Sequence, residues 1–130
     1  MNKLTILCFL IFSIIAPTDA TATDQTRPVI DMIIADVNGD LQGFLERMNR
    51  VEAVAHRLGL PAKLRVLQAT FAGPKNGEIY LLWELPSFNA FADAETKLHQ
   101  DAEFLAILDE MGAAGQSFTS ELLAVEVTLE

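Results

Sequence analysis

Five polar residues that could do chemistry lie in stretches of the sequence that are otherwise largely apolar: Asp31, Arg65, Tyr80, Glu84 and Glu126. Carboxyl groups held together in a half-apolar cavity acquire raised pKa values, as a general base requires. A buried arginine would need one of these carboxylates as its partner. The five residues could therefore act in acid–base chemistry or orient a ligand, or they could be satisfied by water or by a second subunit.

Other chemical motifs in the sequence are incomplete. Glu95, His99 and Glu103 are spaced four residues apart and could ligate a metal on a continuous helix, but an exposed polar helix face explains them better. The segment 36–40 (DVNGD) resembles the start of a calcium-binding loop, yet the glycine and the glutamate that the rest of that loop requires are absent. The chain has no Gly-x-Ser-x-Gly motif and no Gly-rich phosphate loop. We expect neither a metal nor a cofactor.

Residues 1–22 have the pattern of a secretory signal peptide. Lys3 supplies a positive charge, residues 4–16 are mostly apolar, and Ala20-Thr21-Ala22 fits a cleavage site after Ala22, or as second choice after Ala20. The apolar run is shorter than the roughly 20 residues that a membrane span needs. The sequence therefore predicts an exported protein, periplasmic or secreted, that is not held at a membrane after cleavage.

The remaining residues, 23–130, are enough for one small domain. The only cysteine of the chain lies in the leader, so no disulfide is expected in the domain. The formal net charge is −9, from 18 acidic and 9 basic residues. Nucleic acids and anionic membrane surfaces are bound through a basic surface, so both are excluded as partners.

Apolar periodicity and turn signals predict the element order β-α-β-β-α-β. Strands are expected at 29–37, 63–72, 78–85 and 122–129, and helices at 41–58 and from 88 onward. Asp40 and Ser87 are expected as N-caps of the helices, and Asp101 as the N-cap of a second helical segment. This order predicts an α+β, ferredoxin-like fold, a four-stranded antiparallel sheet with two helices on one face.

Two helices leave the other face of such a sheet uncovered. We expect the wholly apolar alternate sets of the strands to lie under the helices; these are Ile30, Met32 and Ile34; Ile79, Leu81, Trp83 and Leu85; and Leu123, Val125, Val127 and Leu129. Trp83 would then be a core residue. The other face would be mixed and would carry the ligand-binding candidates Asp31, Ile33, Tyr80, Leu82, Glu84 and Glu126. The register of the second strand is open, and Arg65 joins this face in one of its two registers.

A half-apolar sheet face either meets another copy of itself or lines a pocket. A two-fold homodimer in which two sheets face each other would do both, and a small apolar or aromatic molecule would then bind between the sheets.

The strand end Trp83–Phe88 (WELPSF) and the segment Lys97–Leu108 (KLHQDAEFLAIL), together with the element order, resemble the dimeric α+β barrel superfamily. The resemblance covers nearly all of residues 27–130 and is greatest to the NIPSNAP-like and antibiotic-biosynthesis-monooxygenase-like branches. It implies a homodimer. The superfamily includes cofactor-free monooxygenases and haem-degrading enzymes, but Phe91 and Asp101 stand where the haem-degrading branch has its Trp and His, so that activity is not implied.

Three functions remain open at this stage. The first is an exported small-molecule-binding protein of unknown role. The second is a cofactor-independent monooxygenase of aromatic or quinol substrates, in which Tyr80, Trp83 and Glu84 would act. The third is a non-catalytic structural or interaction module whose dimer face is filled with side chains.

Overall fold

The computed structural model describes residues 27–70 and 73–125. Its elements are β1 (Val29–Asp36), α1 (Leu41–Arg57), β2 (Lys63–Gln68), a single 3-10 turn (Gly73–Lys75), β3 (Ile79–Leu85), α2 (Phe88–Leu98), α3 (Ala102–Ala113) and β4 (Ser117–Val125). The four strands form one sheet in the order β2-β3-β1-β4, and all neighbours are antiparallel. The predicted ferredoxin-like α+β fold is confirmed, with three helices rather than two on the covered face. The predicted signal peptide lies outside the described residues.

The helix starts lie where the capping residues predict them. The Asp40 side chain accepts a hydrogen bond from the Gly43 amide at 2.9 Å, and the Ser87 hydroxyl accepts one from the Ala90 amide at 3.1 Å. Asp101 accepts hydrogen bonds from two amides of the next helix. Such side chains satisfy amide groups that the first helical turn leaves without partners. Asp101 therefore divides the predicted second helix into α2 and α3.

The last strand begins five residues earlier than predicted. β4 starts at Ser117, whereas the expected strand was 122–129, of which residues 126–130 lie outside the described part of the chain. Its first residues, SFTS, are mostly polar and were not recognised as a strand. They nevertheless pair with the end of β1, from Ser117 opposite Asp36 to Ser120 opposite Ile34. Backbone pairing, which does not depend on side-chain polarity, extends the sheet there.

The faces of β1 are the reverse of the prediction. Residues opposite each other in antiparallel strands point to the same side of the sheet. Asp31 is opposite Trp83 and Ile33 is opposite Leu81, so both lie on the helix side with the core. The apolar set Ile30, Met32 and Ile34 lies instead on the side without helices, which we call the open face. Placing Asp31 and Ile33 on the open face was therefore wrong.

The reversal has a physical reason. The residues on both faces of β1 are largely apolar, so alternation does not identify the buried face. The helix-side face contains the carboxylate of Asp31, which lies at a cavity rather than in solvent. The predicted faces of β3 and β4 are confirmed. Trp83 faces the helices and packs against the core, and Leu123 and Val125 also lie on the helix side. β4 is nevertheless exposed along its whole length, because the helices do not extend over it.

A small polar cluster connects the loop after β1 to the start of β4. The Asn38 side-chain amide donates a hydrogen bond to the Ala114 carbonyl at 3.0 Å. The buried Gln116 amide donates to the Asp40 carbonyl at 3.0 Å and accepts from Arg47 at 3.1 Å. Because buried polar groups are costly without partners, these bonds specify how the two loops meet.

We expect Gly115→Ala to destabilise the fold and Gly112→Ala, three residues earlier, to leave it unharmed. Gly115 has φ +73°, and an added Cβ would lie 2.7 Å from the Asn38 side-chain nitrogen. Strain and collision together should lower the free energy of unfolding by about 1–3 kcal/mol. Gly112 lies within α3 with nothing near its Cβ position, so alanine there should stabilise by up to about 1 kcal/mol.

Urea unfolding of the three proteins, followed by circular dichroism, measures the difference. Equal loss of stability in both variants would contradict the proposed contact with Asn38.

Candidate functional site

The structure divides the predicted ligand-binding residues between the two faces of the sheet. Tyr80, Leu82 and Glu84 lie on the open face, and the register of β2 brings Arg65 to the same face. Asp31 and Ile33 lie on the helix side, and Glu126 is outside the described residues. The predicted set therefore does not form one site within a single chain.

The open-face group forms local pairs. Arg65 makes an ion pair with Glu84, the carboxylate partner that an arginine on this face was expected to need. The Tyr80 hydroxyl donates a 2.6 Å hydrogen bond to Glu78, which raises the pKa of Tyr80. Leu82, which lies between Tyr80 and Glu84 on this face of β3, is buried. These polar groups already have partners, so they are poor candidates for acid–base chemistry in the single chain.

A cavity of about 240 Å³ lies on the helix side, between the sheet and the three helices. Its walls are mostly apolar and aromatic; they include Trp83 from β3, Phe91 and Leu98 from α2, Phe104 and Leu108 from α3, Met48 and Val51 from α1, and Phe118 from β4. Its polar lining groups are Asp31, Glu95, His99 and Glu121. Apolar walls with a few convergent polar groups are typical of small-molecule sites.

Asp31 is the most unusual group of this cavity. Only 3% of its surface is exposed, and its Oδ1 atom has no hydrogen-bond partner within residues 27–70 and 73–125. Burial, together with the negative charges of Glu121 and Glu95 and a hydrogen bond with the Glu121 carboxyl, raises the pKa of Asp31 from 3.8 to about 7. Near neutral pH this carboxyl is therefore present in both its protonated and its ionised form.

Glu95 lies in the last turn of α2, and His99 is the residue that follows that helix as its C-cap. The pKa of Glu95 is raised, mainly by burial, with a smaller opposing effect from His99 and a smaller reinforcing one from Glu121. His99 Nδ1 is 2.9 Å from the Glu95 carbonyl oxygen and 3.6 Å from its carboxylate. The His99 ring lies edge-on to Phe104, with 5.7 Å between the centroids. Since both His99 and Glu121 are exposed, they lie at the mouth of the cavity, whereas Asp31 lies deeper.

A β-bulge brings two of the lining residues together. The register of β1 and β4 shifts between Ile34 and Ala35, so that Glu121 is opposite Ile33 and Phe118 is opposite Ala35. Residues three apart in a regular strand point to opposite faces, but the extra residue in the bulge returns Phe118 to the side of Glu121. Neither residue was a sequence-based candidate, because this segment was not recognised as a strand. Asp31 in the apolar run of β1 was the sequence signal on the sheet, and Glu95 and His99, considered as metal ligands, were the signals on α2.

An arginine clamp fixes the corner between α2 and α3. Arg57, at the end of α1, makes two hydrogen bonds to Asp101, of 2.9 and 3.0 Å, and a third to Glu103 at 3.1 Å. Glu103 is therefore directed to Arg57 and does not join Glu95 and His99. No group of three or more His, Cys, Asp or Glu residues suited to a metal ion occurs in the described part of the chain. Within the same residues, no helix is both long and apolar enough to span a bilayer.

Three solved structures share this fold. The chain is similar to a NIPSNAP family protein of Agrobacterium tumefaciens strain C58, with a TM-score of 0.57, 15% identity and coverage of 80% of this chain and 88% of that one. A second NIPSNAP family protein of unknown function from the same strain has a TM-score of 0.55 and 14% identity over 78% and 87% of the two chains. A NIPSNAP-like domain protein of Burkholderia xenovorans has a TM-score of 0.57 and 11% identity over 80% and 87%.

No protein-family model and no curated protein matches the sequence. At these identities the similarity shows the fold alone. The chain thus has the α+β fold seen in NIPSNAP family proteins, as the sequence resemblance implied.

Proposed function

We propose that this protein is an exported binding protein for a small, largely apolar or aromatic molecule, and that the ligand occupies the cavity between the sheet and the helices. The observation that carries the proposal is an aromatic-walled cavity with a buried carboxyl at Asp31, whose Oδ1 atom has no hydrogen-bond partner among the described residues. The sequence pattern at residues 1–22 supports export. The sheet-to-sheet site expected from the sequence needs a second copy, whereas this cavity belongs to a single chain.

The size of the cavity limits the ligand. Sites for drug-sized molecules have volumes of roughly 300–1,000 Å³. At about 240 Å³, this one fits a molecule with a single ring and a short substituent. Aromatic walls from β3, α2 and α3 would contact the faces and edges of such a ring.

We expect Ala94→Leu to weaken the binding of a single-ring probe such as 2-phenylethanol by about tenfold or more, because leucine would occupy the cavity. Ala94 is buried and lines the cavity from α2. Trp83 is the only tryptophan of the chain and is part of the wall, so its fluorescence measures occupancy directly.

Ala92→Leu is the matched control, since Ala92 lies two residues away on the exposed side of α2. It should leave both the Trp83 signal and the affinity unchanged. Thermal unfolding of both variants checks that they fold. Probe binding that is absent in the unsubstituted protein, or equal in both variants, would refute the proposed site.

We also propose that the protein is a homodimer formed through the open face. Apolar side chains support this, since Leu67 on β2 is 46% exposed and Leu122 on β4 is 60% exposed, and Ile30, Met32 and Ile34 lie between them. Large apolar surfaces of this kind mark sites of association. The Arg65–Glu84 pair would lie within the interface.

A cofactor-independent monooxygenase of aromatic or quinol substrates is a second candidate. The raised pKa of Asp31 favours it, because a carboxyl that titrates near neutrality in an apolar cavity suits a general base. In that case Asp31 would take the proton of a hydroxyaromatic substrate. Oxygen uptake in the presence of a dihydroxynaphthalene distinguishes the oxygenase from a binding protein.

A further inference from the structure

We propose that the ligand of the helix-side cavity is a small organic cation, a protonated amine carried on a short aromatic or aliphatic body. This inference rests on the proposed function and specifies the chemical class of the ligand. It follows from the charge of the lining groups and from the position of each within the cavity.

All the carboxyl groups of the lining can serve one cation. Asp31 lies at the inner end, and Glu95 and Glu121 lie toward the mouth. No lysine or arginine lines the cavity in the part of the chain that the structure describes. Three acidic groups without an internal cation repel one another, so a positive charge placed among them relieves that repulsion and supplies hydrogen-bond donors.

Two arginines of α1 are engaged with carboxylates that do not line the cavity. Arg57 bonds Asp101 and Glu103, and Arg50 bonds Glu110 on the outside of the helices. The Oδ1 atom of Asp31 can only accept a hydrogen bond when the carboxyl is ionised. Because no described residue bonds this atom, a donor from solvent or from a ligand can do so, and an ammonium group supplies several donors at once.

The aromatic walls suit the same ligand. A cation is attracted to the face of an aromatic ring, most strongly to tryptophan. Trp83 and Asp31 are directly opposite each other on adjacent strands, so a cation bonded to Asp31 is within reach of the indole. Phe91 and Phe104 would enclose the apolar body of the molecule. The net charge of −9 further favours the approach of cations over anions.

Binding should depend on pH in a defined direction. The ionisable groups facing Asp31 are Glu121 from β4 and Glu95 and His99 from α2; α1, α3 and β3 contribute only Met48, Val51, Phe104, Leu108, Leu81 and Trp83. Acidification neutralises Asp31 and removes the ion pair with the bound amine. The affinity for an amine should therefore fall as the pH is lowered, and binding above neutrality should be strongest.

The test compares three probes of similar size by Trp83 fluorescence: 2-phenylethylamine, 2-phenylethanol and phenylacetate. At about pH 8 the amine should bind about tenfold or more tightly than the alcohol, and phenylacetate least tightly. At about pH 5 the amine, which is still protonated, should lose most of this advantage.

Asp31→Asn keeps the shape of the side chain and removes its charge. It should abolish the preference for the amine while leaving the affinity for the alcohol within about twofold. Asp109→Asn, on the exposed side of α3, is the matched control and should retain the preference. Alcohol binding that equals or exceeds amine binding at about pH 8 would overturn the inference and leave the proposed function standing. If no probe binds, the proposed function fails as well.

Discussion

At about pH 8, Asp31→Asn should be more stable than the unsubstituted protein, and at about pH 4 the two should be nearly equal. Burial and the neighbouring carboxylates raise the pKa of Asp31 from 3.8 to about 7. Below pH 3.8 the carboxyl is protonated in both the folded and the unfolded chain, and its titration has no effect on stability. Between these two pH values the folded chain retains a proton that the unfolded chain has released, so the free energy of unfolding falls as the pH rises.

This decrease in the free energy of unfolding of the unsubstituted protein is complete above about pH 7. A full shift of this size corresponds to about 4 kcal/mol at 1.4 kcal/mol per pKa unit, and water near the cavity mouth should reduce it, so we expect Asp31→Asn to gain about 2–4 kcal/mol at pH 8. Asparagine also supplies a neutral amide in place of a buried charge.

Urea unfolding at several pH values measures this difference between the two proteins. Asp101 and Glu110 have pKa values lowered by Arg57 and Arg50, so the stability that they contribute is lost as the pH falls. Both residues are present in both proteins, and their effect cancels in the comparison. Asp109→Asn, on the exposed side of α3, should follow the unsubstituted protein at every pH. A constant offset between Asp31→Asn and the unsubstituted protein from pH 4 to 8 would contradict the raised pKa.

The second large effect concerns the open face. Light scattering should give the mass of a dimer for the unsubstituted protein and of a monomer for the double variant Leu67→Glu/Leu122→Glu. These leucines lie on the two edge strands, so the substitutions place charge at both sides of the proposed interface. Burying an unpaired carboxylate at an interface costs several kcal/mol, enough to separate the subunits at micromolar concentration.

Leu105→Glu is the control for a surface leucine made acidic. Leu105 is 42% exposed, comparable with Leu67, but it lies on α3 on the opposite side of the molecule. The Leu105→Glu variant should remain a dimer. A monomeric unsubstituted protein would refute the homodimer, and dissociation by Leu105→Glu alone would transfer the interface to the helices.

Local chemistry made much of the fold predictable. Asp40, Ser87 and Asp101 each have a side chain that can cap a helix, and each does so. The Asn76-Gly77 pair is a typical hairpin signal in the sequence, and in the loop between β2 and β3 Gly77 adopts φ +92° and its amide donates to the Ala69 carbonyl. These features depend only on residues close to one another in the chain, so they can be predicted from the sequence.

The faces of β1 depend on distant partners and could not be predicted. Ile30, Met32 and Ile34 are as suitable for a core as Val29, Ile33 and Ala35, so alternation alone does not distinguish the two sides. The covering of one face by helices and the exposure of the other are properties of the whole sheet. The assignment of the wholly apolar set to the helix side then misplaced Asp31.

The candidate site could be predicted only in part for a related reason. Trp83 was placed correctly on the helix side, but it lines a cavity as well as packing against the core. Glu121 and Phe118 lie on the same face of the sheet because of a bulge in β4, and no local residue pattern predicts that bulge.

The exposure of β4 has a consequence for the chemistry of the cavity. Of the four strands, β4 is an edge strand bonded only to β1 within the described residues, and it is exposed along its length. It nevertheless carries Glu121, whose carboxyl helps to retain the proton on Asp31. Any outward displacement of β4 would weaken that influence and make Asp31 more acidic. The pKa of Asp31 therefore reports how closely β4 packs against the rest of the sheet. The carboxyl chemical shift of Asp31, measured as a function of pH, would give this pKa.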